Sequence, residues 1–162
     1  MTVKGTSFED FYRSERESLA RALALTLRDD HLAVEAVDEA MTRAYGRWGR
    51  VGGLESPGGW VYRVALNWAT SVLRRRRRAP HPFADAGPAD VGPIGEPAVL
   101  AALAELDAPQ RAVVVCRFYL GLSEAQTAAA LGIRPGTAKS RLHRALRQLE
   151  ARLDHLRPEE HR

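Results

Sequence analysis

Cysteine is nearly absent from this chain: one thiol, Cys116, serves 162 residues. An intrachain disulfide framework and a cysteine-based zinc knuckle are therefore excluded, and a buried core thiol in a reducing compartment is expected. The five histidines, His31, His81, His143, His155 and His161, stand at no metal-ligand spacing. No glycine loop leads into Lys-Ser or Lys-Thr, as a phosphate cradle requires. These absences predict no enzyme, no metal, no cofactor and no small-molecule substrate. Apolar runs never reach the length that crosses a bilayer, and the opening MTVKGTSFEDFY holds no apolar stretch of signal-peptide length. A cytoplasmic protein without membrane insertion is expected. Aromatic residues make up only 7% of the chain and extended β-branched runs are nearly missing, so Ala, Leu and Arg set the character and predict an all-α fold.

What is present is uneven charge. The net charge is +4. Residues 1–78 carry 14 Lys and Arg against 10 Asp and Glu, residues 79–99 carry none against 3, and residues 100–162 carry 10 against 7. Two basic modules thus flank an acidic connector, APHPFADAGPADVGPIGEP in its first 19 residues, which has neither helical nor strand period. The expected organisation is two small helical domains, 1–78 and 100–162, joined by a flexible linker at 79–99. A basic balance of this kind suits a polyanionic partner.

The most informative stretch is Ser123–Leu149. Ser123 and Gln126 fit a capping box, Ala125, Ala128, Ala129 and Leu131 suit close packing, Gly132 ends the helix and Pro135 opens the next. Ala138, Leu142, Ala145, Leu149 and Leu153 form one apolar stripe, while Lys139, Ser140, His143, Arg144 and Arg147 share the other side. Between Arg134 and Gln148 there is no carboxylate. A helix with a packed back and a cationic, hydrogen-bonding front behind a short turn has the form of a helix-turn-helix recognition helix. The simpler alternative is a solvated basic face. As a reader of duplex DNA, the helix offers Lys139 and Arg144 to guanine O6 and N7, with Ser140 and His143 as further base-edge donors. Arg134, Thr137, Arg141 and Arg147 are assigned to phosphates.

The first module reads as three helices: one from Phe8 behind a Ser7 cap, one from about Leu32 to Trp48, and one from Trp60 to Arg78. A Gly-rich loop, 49–59, precedes the third. Val61, Val64, Ala65, Trp68 and Val72 form that helix's packed face; Trp60, Arg63, Asn67, Ser71 and Arg74 lie on another side. Its mixture of Trp60, Tyr62 and Trp68 with Arg63 and Asn67 suits stacking and hydrogen bonding to unpaired bases. Trp68 is better explained as core, and Trp60 is left open. Arg74, Arg75, Arg76, Arg77 and Arg78 are most simply a phosphate clamp, or else a charge complement to the helix C-terminus. Glu35, Asp38 and Glu39, with Arg43, form a solvated or protein-docking face. In the second module, a short helix is separated at Ala108 and Pro109 from a longer one, Gln110–Tyr119. Leu103, Leu106, Val113, Val114 and Phe118 are its expected core, and the tail LRPEEHR is expected to fray.

Taken together, SPGGWVYRVALNWATSVLRRRRR at Ser56–Arg78 and LDAPQRAVVVCRFYLGLSEAQTAAALGIRPGTAKSRLHRAL at Leu106–Leu146, with Gly-Thr-x-Lys-Ser-Arg at Gly136–Arg141, resemble the extracytoplasmic-function, or group IV, bacterial sigma factors. The resemblance spans nearly the whole chain and implies sigma domains 2 and 4 without a domain 3. It implies docking of Glu35, Asp38, Glu39 and Arg43 on the β′ clamp helices of core RNA polymerase. A flipped base would be held by the loop at 49–59, and the −10 strand would lie near Trp60, Arg63 and Asn67. Promoter DNA at the −35 element would be read by Lys139, Ser140, His143 and Arg144. Contact with the β flap and an anti-sigma factor partner are implied as well. Glu35-Ala36-Val37-Asp38-Glu39 departs from the family's Asp-Leu-Val-Gln-Glu, with Asp38 at the Gln position. Two readings compete: a helix-turn-helix regulator that works without polymerase, and an interaction scaffold.

Overall fold

A computed structural model describes residues 5–78 and 96–154. The chain divides into two compact units, 1–92 and 93–162, and each is helical throughout its described residues, without a strand. Residues 79–95 of the expected linker and the expected frayed tail lie outside the described residues.

The first unit is built from α1 (Phe8–Leu27), α2 (Asp30–Gly46), the single turn α3 (Trp48–Val51) and α4 (Pro57–Arg78). Each start has a local cause. The Ser7 hydroxyl accepts the Asp10 N–H at 3.2 Å, and the Asp29 carboxylate accepts the Leu32 N–H at 3.0 Å. Asp29 thus caps α2, which begins two residues before the expected Leu32. The loop predicted at 49–59 shrinks in the same way. Trp48–Val51 close a helical turn, and Ser56 caps α4, its hydroxyl accepting the Gly59 N–H at 3.0 Å. Pro57 stands at the first position of α4, where its missing N–H costs nothing. A side chain at Gly52 would place its Cβ 2.8 Å from the Trp48 indole, so the turn can close over that ring only with glycine.

Leu19 and Leu23 of α1, Leu32, Val37 and Met41 of α2 and Val61, Tyr62 and Ala65 of α4 meet in one core. Tyr62 is buried there, not displayed to bases. Its hydroxyl donates to Thr26 Oγ1 at 2.7 Å, and Thr26 in turn donates to the Ala22 carbonyl at 2.9 Å. Tyr62→Phe breaks the relay at its outer link and is expected to lower unfolding free energy by about 1 kcal/mol in urea titration. Arg28 ends α1 at φ 57°, the one positive φ at a non-glycine position among the described residues. Side chains are crowded in this left-handed conformation, which glycine enters freely. Arg28→Gly is expected to stabilise the protein by about 0.5–1 kcal/mol, seen as a higher thermal midpoint.

The second unit holds α5 (Pro97–Glu105), α6 (Ala108–Val114), a π-helical turn (Val115–Tyr119), α7 (Glu124–Leu131) and α8 (Pro135–Asp154). Helix α5 begins inside the connector expected at 79–99, because Pro97 suits the first helical turn. Pro109 does not separate helices either. It lies in the first turn of α6, where Asp107 and Gln110 form a reciprocal capping box at 2.8 and 3.2 Å. The buried set is Leu103, Leu106, Val113, Val114, Val115, Cys116 and Leu122, with Ala138 and Ala145 from α8. Phe118, expected in this core, is 62% exposed. The widened π turn shifts the helical phase and turns that ring outward.

Candidate nucleic-acid interface

In the second unit, the turn between α7 and α8 is fixed by its own residues. Ser123 Oγ accepts the Gln126 N–H at 3.0 Å, while Gln126 Oε1 accepts the Ser123 N–H at 2.9 Å. Gly132 stops α7 at φ 64°, and Ile133 N–H returns to the Ala128 carbonyl at 3.0 Å. Thr127, Ala128 and Ala130 form the packed side of α7; Ala125 and Ala129, expected there, are exposed. The small side chains let α8 pack closely. Arg134 occupies the cap position of α8, its carbonyl accepting the Ala138 N–H at 3.0 Å.

Helix α8 is sharply two-sided. Ala138 and Ala145 are buried, and Leu142, Leu149 and Leu153 are half-buried beside them. Lys139, Ser140, His143, Arg144 and Arg147 are exposed on the opposite side, with Thr137 half-buried at its start. Arg141 is half-buried at the edge of the packed side. Ser140 Oγ donates to the Thr137 carbonyl at 3.3 Å, and Arg144 Nε reaches the Ser140 carbonyl at 3.5 Å. Both contacts are long enough to yield to a better acceptor. Gly136 and Thr137 lie in the first turn, where N–H groups have no acceptor within the helix, so a phosphate there is favoured by geometry and by the helix dipole. The far end of α8 is tied to α5 by Arg152 and Glu105, 3.0 Å apart.

In the first unit, Arg63, Asn67, Ser71 and Arg74 are exposed along one side of α4, with Trp60 half-buried at its head. Trp68, Val64 and Val72 are half-buried, so the packed face runs through Val61, Tyr62, Ala65 and Ala69. The arginine run is split. Arg74, Arg75, Arg77 and Arg78 are exposed, whereas Arg76 is half-buried and 3.8 Å from Asp29, beside the start of α2. Of the expected docking residues, Glu35 and Asp38 are exposed and Glu39 is half-buried, paired with Arg43 at 3.1 Å. Asp38 is held in a fork by Arg16 of α1, at 2.8 and 3.0 Å. That bidentate pair, above all its hydrogen bonding, raises the pKa of the Arg16 guanidinium above its ordinary value. No sequence signal marks a pair 22 residues apart. Spacing along the chain does not announce a second group either: Phe8, Phe11, Tyr12, Tyr45 and Trp48 come together where α1 begins and α2 ends. Among the described residues, no helix is long and apolar enough to cross a membrane.

Residues 97–149 match the family model described as Sigma-70, region 4. The chain is 34% identical over 152 residues to the RNA polymerase sigma-E factor of Streptomyces avermitilis, covering 91% of this chain and 85% of that one. It is 33% identical over 158 residues to the ECF RNA polymerase sigma factor SigM of Mycobacterium tuberculosis, covering 93% and 79%. A solved structure of the sigma factor RpoE in complex with the anti-sigma factor NepR, from Bartonella quintana, superposes with a TM-score of 0.67 at 25% identity, over 90% of this chain and 98% of that one. A two-sided α8 behind a capped turn in the second unit, a basic, polar α4 in the first, and likeness along nearly the whole length agree: the chain belongs to the ECF RNA polymerase sigma factors.

Proposed function

We propose that the protein binds core RNA polymerase, brings it to promoters carrying defined −35 and −10 elements and helps open the −10 region, as a group IV sigma factor. The observation that carries this reading is the division of α8 into a packed side and a side of exposed donors that has no carboxylate from Pro135 to Gln148. Lys139, Ser140, His143 and Arg144 would read −35 bases in the major groove, and Arg134, Thr137, Arg141 and Arg147 would hold the flanking phosphates. In the first unit, Trp60, Arg63 and Asn67 would receive the unpaired −10 strand, with Arg74, Arg75, Arg77 and Arg78 on phosphates. Glu35, Glu39 and Arg43 would dock on the β′ clamp helices, with Asp38 presented as part of the Arg16 pair; the second unit would touch the β flap. Opening requires no bond to break in the protein, because binding the extruded base offsets the cost of unpairing. The Bartonella sigma factor is bound by an anti-sigma factor; this chain is expected to have one too, and to work in the cytoplasm.

Run-off transcription with purified core polymerase tests the reading, on fragments of the protein's own genome that include its upstream region. Discrete transcripts present only with the protein are expected. Duplex binding without core association would point to a regulator that acts without polymerase. Asn67→Ala is expected to abolish permanganate reactivity of the −10 strand while the −35 footprint persists; equal loss of both would break the division of labour between the units.

A further inference from the structure

The acidic side of α2 is not a plain row of carboxylates. Glu35, Asp38 and Glu39 share one side of the helix within little more than a turn. Glu39 is tied to Arg43 one turn further on, at 3.1 Å. Asp38 is held from another helix: Arg16 of α1 donates from Nε to Oδ1 at 2.8 Å and from Nη2 to Oδ2 at 3.0 Å. Two of the three negative charges are therefore matched from within the chain. Glu35 is exposed and has no ion pair among the described residues.

The two pairs differ in construction. Arg43 directs both Nε and Nη2 to a single oxygen of Glu39, within one helix. Arg16 gives one donor to each oxygen of Asp38, and two parallel bonds fix the plane of the carboxylate. The guanidinium also lies over the Tyr12 ring at 5.9 Å. The fork spends two of five guanidinium N–H groups, and each Asp38 oxygen keeps a lone pair. It thus shows donors and acceptors side by side without net charge, as a side-chain amide does. Stability does not explain it. Leu19 and Leu23 of α1 and Val37 and Met41 of α2 already bury the helix contact. The pair itself is half open to solvent, with side chains 34% and 48% exposed, where ion pairs add little to folding.

We propose that Arg16 is a positioning residue of the polymerase-docking face: it presents Asp38 as half of a neutral pair and leaves Glu35 as the charge that a cationic partner meets. The inference deepens the docking reading given above and rests on it. Without Arg16, Asp38 would regain a full charge beside Glu35 and lose its fixed plane. Covering it with a partner would then desolvate an unmatched carboxylate, a cost the fork avoids.

The test is binding of the labelled full chain to purified core polymerase, followed by fluorescence anisotropy at several salt concentrations. Arg16→Ala is expected to weaken binding on the order of 10-fold, less than a fully buried pair would lose. Adding Asp38→Asn to Arg16→Ala is expected to recover most of that loss, because the amide needs no counter-charge. Arg16→Lys keeps the charge without the fork and is expected to fall between Arg16→Ala and the unmodified chain. Glu35→Gln is expected to weaken binding and flatten its salt dependence. Circular dichroism melts check that every variant folds. Unchanged binding by Arg16→Ala overturns the proposal, as does a double variant no tighter than Arg16→Ala. Tighter binding by Arg16→Ala overturns it too, since Asp38 would then meet a polymerase cation directly and the fork would restrain it. In each of these cases the unmodified chain still binds core and the sigma reading stands. No core binding by the unmodified chain brings down that reading and the proposal together.

Discussion

Arg144→Ala is expected to weaken holoenzyme binding to a −35 duplex by about 1–3 kcal/mol, roughly 5- to 150-fold, the scale of one lost bidentate contact to guanine. The side chain is exposed, and among the described residues its one hydrogen bond is the 3.5 Å approach to the Ser140 carbonyl. Removing it should therefore leave the unfolding free energy within about 0.5 kcal/mol, as expected of surface changes. Lys139→Ala is expected to behave alike but to relax preference at a different base pair. Arg147→Ala should differ in kind. A phosphate contact carries no sequence information, so affinity should fall for all duplexes together and the slope of log affinity against log salt should flatten by about 1. Binding titrations on the promoter duplex and its single-base variants, at several salt concentrations, separate these outcomes. A sequence-selective loss from Arg147→Ala, or a uniform loss from Arg144→Ala, would exchange their assignments.

The second large effect concerns the core of the first unit. Leu23 of α1 is fully buried in the unit whose core α1, α2 and α4 form. Leu23→Ala removes three carbons from a packed interior and leaves a cavity, at a cost of about 3–5 kcal/mol. Against a typical domain stability of about 5–15 kcal/mol this is a large fraction. Hydrogen–deuterium exchange should show loss of protection in α1, α2 and α4. The amides of α6 to α8 should keep theirs, because that unit has its own core of Leu106, Val113, Cys116, Ala138 and Ala145. Uniform loss across both units would mean that they unfold as one.

The helices of this protein were legible where a start or stop is written within four residues. Ser7, Ser123 with Gln126, Gly132 and Pro135 were each read from sequence, and each stands at the expected helix end. Asp107 with Gln110 carries the same signal, but Pro109, two residues on, reads as a breaker and hides it. Ser56 was masked by the glycines around it. The recognition face of α8 was also legible, since charge and apolar spacing separate cleanly along 20 residues. What could not be read depends on helical phase or on partners distant in the chain. Phe118 keeps the right spacing for the core until the π turn moves it outward. Tyr62 looked like a base-stacking ring because its partner, Thr26, is 36 residues away. Asp38 looked like a free docking carboxylate because Arg16 belongs to another helix.

The two-sided construction of α8 has a consequence for how such proteins diversify. Ala138 and Ala145 hold the helix in place, and neither touches the solvent face. Lys139, Ser140, His143 and Arg144 contribute nothing to the packed core of their unit. Mutation can therefore explore those four positions while the scaffold keeps nearly all of its stability, since surface changes away from packed or capped sites stay within about 0.5 kcal/mol. A duplicated copy of this chain could drift to a new promoter through single tolerated steps, each altering preference at one base pair. The parent and its copy could then divide a genome's promoters between them without either passing through an unfolded ancestor.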